Sequence, residues 1–178
     1  MNHIKPIIFL IPVIVLFFLS AIYFYLLKKA TNRKAFENFI FIMSILALLL
    51  NFAWELIQIP LYKNPVYDIN HIAFCALASL ADVLMVLLLY FAIAIIFKRP
   101  FWVKPLKIHL FIIVVLTGGA GAALSEIRHL ALGSWAYSDS MPIIPFIHVG
   151  ISPVLQFMLL PSLIYYLTFS HLKISKLK

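Results

Sequence analysis

The chain is poor in charge, glycine and cysteine. It has one cysteine, five glycines and only six acidic residues among 178. A lone Cys75 excludes an intrachain disulfide and argues against a thiolate metal cluster; set in AFCALASL, it reads as a small core residue of an apolar segment. Charged residues make up 11% of the chain and apolar ones 65%, whereas apolar residues are roughly half of a water-soluble globule. That leaves too little polar surface to close a soluble domain. No G-x-S-x-G, phosphate-binding glycine loop, H-E-x-x-H or c-type haem motif is present, which excludes those families though not their chemistry. Lysine is sparse within the apolar segments, so a retinal Schiff base has no candidate at helix depth.

What the chain does have is long apolar stretches, at about 6–27, 38–60, 71–97, 108–127 and 143–169. A helix needs about 20 residues to cross the hydrocarbon core of a bilayer. The expected fold is therefore all-α: a polytopic membrane bundle of about five transmembrane helices, forming one integral membrane domain over residues 1–178. The connections are too short to hold a soluble domain. The first stretch is longer than a signal-peptide core and most of the nearby positive charge follows it, so it is read as a mature helix.

The net charge of +8 resides in the connections. Lys28, Lys29, Arg33 and Lys34 follow the first span, Lys98, Arg99, Lys104 and Lys107 follow the third, and Lys173, Lys176 and Lys178 end the chain. With five spans these clusters share one side, and the positive-inside rule then puts the N-terminus outside and the C-terminus inside. Anionic lipid head groups are the expected partners, and nucleic acid is not. The oligomeric state is left open.

The spans differ in character. The first has few polar groups and reads as a packing helix facing lipid. The fourth carries Gly118, Gly119, Ala120, Gly121, Ala122 and Ala123, small residues that admit a neighbouring backbone, which points to a place in the middle of the bundle. Prolines at 60, 65, 142, 145, 153 and 161 punctuate the second and fifth spans and their outer connections, where freed backbone groups need other partners.

Against this background, three carboxylates stand out: Glu55 in NFAWELIQIPLY, Asp82 in SLADVLMVLLLY and Glu126 in GAGAALSEIRHL. A charge at the bilayer centre costs roughly 2.5–3.5 kcal/mol even on lenient scales. Asn51, Glu55, Gln58 and Tyr62 recur at helical spacing on one stripe, which Trp54 borders. Five-span topology places these residues, with Glu126, Arg128 and His148, in the outer half of the membrane. Asp82 and Gln156 then lie deeper, about 16 Å from the surface for Asp82 at about 1.5 Å per residue. The expectation is an outward-facing polar pocket lined by Asn51, Glu55, Gln58, Asp82, Glu126, Arg128, His148 and Gln156. The connection RHLALGSWAYSDSMP would be its lid or wall, with Trp135 and Tyr137 serving as interfacial anchors or as ligand contacts.

WELIQIPLY, starting at Trp54, and SWAYSDSMPIIP followed by GISPVLQ, from Ser134 to Gln156, resemble a family of uncharacterised bacterial multi-spanning membrane proteins. That family combines W-E-x-x-Q-x-P-L-Y with an S-E element, W-A-Y-S-x-x-M-P and G-x-S-P-x-x-Q. Its members often carry a His-Cys pair shortly before the aspartate of the third span, where this chain has Leu77-Ala78. The departure argues against that span supplying a metal or thiol ligand. The resemblance implies a protein of the bacterial cytoplasmic (inner) membrane and supplies no activity.

Three functional classes fit these residues. A carboxylic acid held protonated can donate a proton to an alkene, an epoxide or a leaving oxygen while a second carboxylate accepts one. Glu55, Asp82 and Glu126 are thus candidate catalytic groups for isomerisation or cyclisation of a lipid-like or isoprenoid substrate. The second class is non-enzymatic binding of a lipid, pigment or partner helix by Asn51, Trp54, Gln58, Arg128, Trp135, Tyr137, His148 and Gln156. The third is a small proton-coupled carrier, against which the nearly apolar inner half of the spans argues. Glu126 and His129 form one E-x-x-H pair where a di-iron bundle needs two, so no metal site is assigned, and no cofactor is specified. Arg128 has two open roles, an ion pair with Glu55 or Asp82 and contact with an anionic ligand.

Overall fold

The computed structural model describes residues 10–102 and 108–171. Residues 6–9 of the first expected span, and Lys104, Lys107, Lys173, Lys176 and Lys178 of the basic clusters, lie outside the described residues. Five helices form the bundle: α1 (Leu10–Lys29), α2 (Arg33–Gln58), α3 (Ile69–Ile96), α4 (Ile108–Ala131) and α5 (Ile151–His171). Among the described residues, α2 with its 3-10 extension Ile59–Leu61, α3, α4 and α5 are each long and apolar enough to cross a membrane. The chain is a multi-pass helical membrane protein. α1, at 20 residues, is about 30 Å long and comparable in length.

Local chemistry sets the helix limits. Asn32 caps α2, its Oδ1 accepting from Ala35 N at 3.0 Å, and Asp68 caps α3, its Oδ1 accepting from His71 N at 2.7 Å. Pro60 occupies the first turn of the 3-10 extension that ends α2. At the other end of α3, Lys98 adopts a left-handed conformation and Arg99 N reaches back to Ala94 O.

The fifth helix begins later than the apolar pattern predicts. Residues 143–150 form a small hairpin instead, β1 (Ile143–Ile144) against β2 (Val149–Gly150), with Ile143 opposite Gly150 and Ile144 opposite Val149. Pro142 and Pro145 keep this apolar stretch from helical continuation, and the turn places Phe146 and His148 at positive φ. Phe146 is 98% exposed at its tip.

The packing order runs α4, α5, α2, α3, α1, so α2 is central and α4 lies at an edge. This corrects the expectation that the small-residue helix is in the middle: its glycines serve chiefly one neighbour, α5. Pro161, inside α5, has no N–H to offer the Phe157 carbonyl one turn back. That carbonyl faces Gly118 so closely that a methyl group on Gly118 would overlap its oxygen. Glycine on α4 and proline on α5 therefore make a single contact, of the kind in which a Cα–H approaches a free carbonyl.

At the end where α1 meets α2, the bundle is filled by aromatic rings. Tyr90 of α3 packs on Phe39 (5.3 Å between centroids), Trp102 (5.4 Å) and Tyr165 of α5 (5.4 Å). The polar tips are all satisfied by backbone: Tyr90 OH donates to Pro100 O at 2.5 Å, Trp102 Nε1 to Tyr90 O at 3.1 Å, and Tyr165 OH to Val86 O at 2.7 Å. Tyr90, Trp102 and Tyr165 are fully buried. This aromatic seal occupies the same end as Lys28, Lys29, Arg33, Lys34, Lys98 and Arg99, opposite the end where α2 stops and α5 starts.

Candidate functional site

The stripe spacing on α2 and the packing of α3 and α5 against it bring three polar side chains onto one amide. Gln156 Nε2 donates to Asn51 Oδ1 (2.9 Å), Asp82 Oδ2 (3.1 Å) and Glu55 Oε1 (3.4 Å). A carboxamide has two N–H hydrogens, so three acceptors share two donors. Glu55 Oε1 also accepts from Gln58 Nε2 at 2.9 Å, and Gln58 Oε1 accepts from Ser152 Oγ at 2.9 Å. Asn51 donates its own amide to Ala47 O at 2.8 Å. Asn51 and Gln156 are each 1% exposed, so this network lies in the bundle interior rather than at its surface.

Glu126 belongs to an adjoining layer. It is 7% exposed, and its Oε2 accepts from Trp135 Nε1 at 3.1 Å and from Tyr137 OH. These donors come from the α4–α5 connection, which is sewn to the end of α2. Tyr62 and Tyr137 form an antiparallel bridge, Lys63 N donates to Ala136 O, Ser138 N to Leu61 O, and the Ser138 hydroxyl to Pro60 O at 3.1 Å. The connection thus roofs the polar layers.

Tyr62 joins the two layers. Its ring lies 5.6 Å from that of Tyr137 and 6.5 Å from that of Trp135. Burial first, then the proximity of Glu126, Glu55, Tyr137 and Asp82, pushes its phenol far above the ordinary tyrosine range. All three carboxylates therefore act on one side chain. The Tyr137 phenol is raised as well, by burial and by its hydrogen bond to Glu126. Both remain donors at any physiological pH. In a spectrophotometric titration, Tyr62 and Tyr137 should stay un-ionised well above pH about 10, the ordinary tyrosine value. Because the fold favours the neutral phenols, their contribution to stability is complete below that value and is lost as pH rises beyond it. Tyr62→Phe and Tyr137→Phe should each reduce this alkaline sensitivity; unchanged alkaline unfolding in both would show that neither phenol is held this way.

Other expected site residues are placed elsewhere. Arg128 is exposed: it lies two positions from the buried Glu126, and such residues point to opposite sides of a helix, so the expected pairing with Glu55 or Asp82 does not form. His148, expected to line the pocket from within a span starting at 143, is exposed in the hairpin turn, because α5 begins only at Ile151. Trp54 is half-buried against the hydrophobic core, its Nε1 buried without a partner among the described residues. His129 stacks on Trp135, centroids 4.4 Å apart, with Nδ1 at 3.2 Å from Ser134 Oγ, and so braces the roof instead of sharing a ligand with Glu126. Among the described residues no group of three His, Cys, Asp or Glu is arranged to hold a metal ion.

Ser152 was missed by sequence reasoning, although its position four before Gln156 places both on one face of α5. Among the described residues the hydrogen-bond partners of the three carboxylates are amides, an indole and a phenol, none of them cationic. Like charges gathered in an apolar bundle without a counter-ion gain by taking up protons or a polar ligand. No protein-family model, curated protein or solved structure matches this chain, so the chemistry of the site rests on its own geometry.

Proposed function

We propose that Glu55, Asp82 and Glu126 form an intramembrane acid–base site acting on a lipid-like or isoprenoid substrate. The observation that carries this reading is the sharing of the Gln156 amide by Asp82 and Glu55, with no cation among their partners in the described residues. An amide with two hydrogens for three acceptors does not fully satisfy the carboxylates, and a proton passing between them alters which acceptors it holds. One carboxyl would deliver a proton and the other receive one, while Glu126, held by Trp135 and Tyr137, connects the pair to the roof. The aromatic seal beneath supports chemistry or binding over transport, since alternating access would have to part Tyr90, Trp102 and Tyr165.

The proposed setting is a bacterial cytoplasmic membrane, with the basic end inside and the carboxylates toward the outer leaflet. The cations at 28–34 and 98–99 support this orientation by the positive-inside rule. Lipid and isoprenoid extracts from cells with and without the gene provide the test. The expected result is a pool that changes on deletion, is restored by the wild type, and is not restored by Glu55→Gln or Asp82→Asn. Unchanged pools together with a lipid retained on purification would favour the binding protein. Proton-dependent uptake into vesicles would favour the carrier.

A further inference from the structure

Asp82 shares an interior amide and yet is only half-buried. The helix geometry accounts for this. α3 and α4 barely touch. Near one contact, Leu89 Cδ2 lies 3.7 Å from where a Cβ of Gly118 would be. Asp82 precedes Leu89 by about two turns and shares its face of α3, with Ala78 one turn further on. On α4, Gly121 and Ser125 continue the face of Gly118 in the same direction. A Cβ on Gly121 would meet nothing within 4 Å, and Ser125 is exposed. Beyond Leu89, the faces of α3 and α4 that carry Ala78, Asp82 and Met85 on one and Gly121 and Ser125 on the other are left largely unpacked by this sparse contact, which helix geometry makes a gap between them.

The roof that joins Tyr62 to Tyr137 lies at the same end of the bundle as this gap, and Leu89 against Gly118 marks its lower limit. Its free direction is sideways. Both helices are long and apolar enough to span a membrane, and the flanking Phe74, Leu77, Leu116 and Leu124 are exposed apolar side chains, so the opening faces hydrocarbon. We propose that the gap is a lateral portal through which a single-chain apolar molecule of acyl or prenyl type, dissolved in the bilayer, reaches Asp82. A slender chain suits this frame better than a bulky body, because Ala78, Gly121 and Ser125 offer only the room that small side chains leave. The nature of this ligand rests on the acid–base reading above; the route itself does not.

The test uses two carbodiimides on the full-length protein in lipid vesicles, one apolar and confined to the bilayer, one water-soluble. Both add to a protonated carboxyl and leave an acylurea that peptide mass spectrometry locates. The apolar reagent should modify Asp82 several-fold more than the soluble one. Gly121→Phe places a ring in open space, so the bundle should fold while Asp82 becomes protected; Gly121→Ala should leave labelling unchanged, and Ser125→Phe provides a second obstruction should the first variant fail to fold. Labelling that persists in both obstructed variants, labelling by the soluble reagent alone, or none by either, overturns the portal. Metabolite pools unaffected by Glu55→Gln and Asp82→Asn would dismiss the acid–base chemistry while leaving the labelling pattern intact, so the two failures are distinguishable.

Discussion

Gly118→Ala should unfold in detergent at a markedly lower temperature than the wild type, with a loss of about 3 kcal/mol, the upper end of overpacking effects. The added methyl has nowhere to go. It would overlap the Phe157 carbonyl oxygen and lie 3.1 Å from the carbonyl carbon, and backbone cannot swing aside as a side chain does. α4 and α5 would have to separate, and α4 has little other support, since it barely touches α3. The gain in helix propensity from glycine to alanine, about 1 kcal/mol, is too small to offset this. Two neighbouring glycines provide controls. Gly119→Ala meets the flexible Met158 side chain, 2.8 Å away at Cγ, and should cost less. Gly121→Ala meets nothing and should be neutral or slightly stabilising. Equal effects at all three positions would mean that the α4–α5 contact is not as close as described.

Gln156→Leu should cost roughly 2–4 kcal/mol, because one substitution strands two acceptors in the bundle interior and takes a donor from a third. Asn51 Oδ1 and Asp82 Oδ2 lose the Gln156 donor, while Glu55 retains Gln58. Leucine fills a similar volume, so the loss reflects polar satisfaction and not a cavity. Asp82→Asn makes the contrast, for its amide oxygen still accepts from Gln156 and the fold should survive with a small change in midpoint. Reversible unfolding in mixed micelles measures both variants. A Gln156→Leu protein as stable as the wild type would show that the carboxylates find other donors and that the shared amide is not the organising contact.

The stripe of Asn51, Glu55 and Gln58 was legible because helical spacing fixes a common face whatever the neighbours do, whereas Tyr62 joins them from extended backbone past the 3-10 turn. Asp82 and Gln156 were expected in one pocket, but the count that gave Gln156 its depth began at 143 whereas α5 begins at Ile151, so their contact comes from the packing and not from that count. Sequence was less informative wherever two chemistries give the same hydropathy. PIIPFIHVG is as apolar as a helix, and only its paired prolines and Gly150 mark the hairpin. The small residues of α4 announce a close approach without saying to which helix, since the deciding contact depends on Pro161 freeing a carbonyl far away in the chain. Trp102, central to the aromatic seal, lies in a connection where no periodicity points inward. Arg128 looked like a natural counter-ion, and helix geometry alone turns it away.

The fully buried Tyr90, Trp102 and Tyr165 also have an electrical consequence. On the acid–base reading proposed above, with the basic end plugged by these rings, a proton that reached the carboxylates from one compartment would return to that compartment, and a turnover would transfer no net charge across the bilayer.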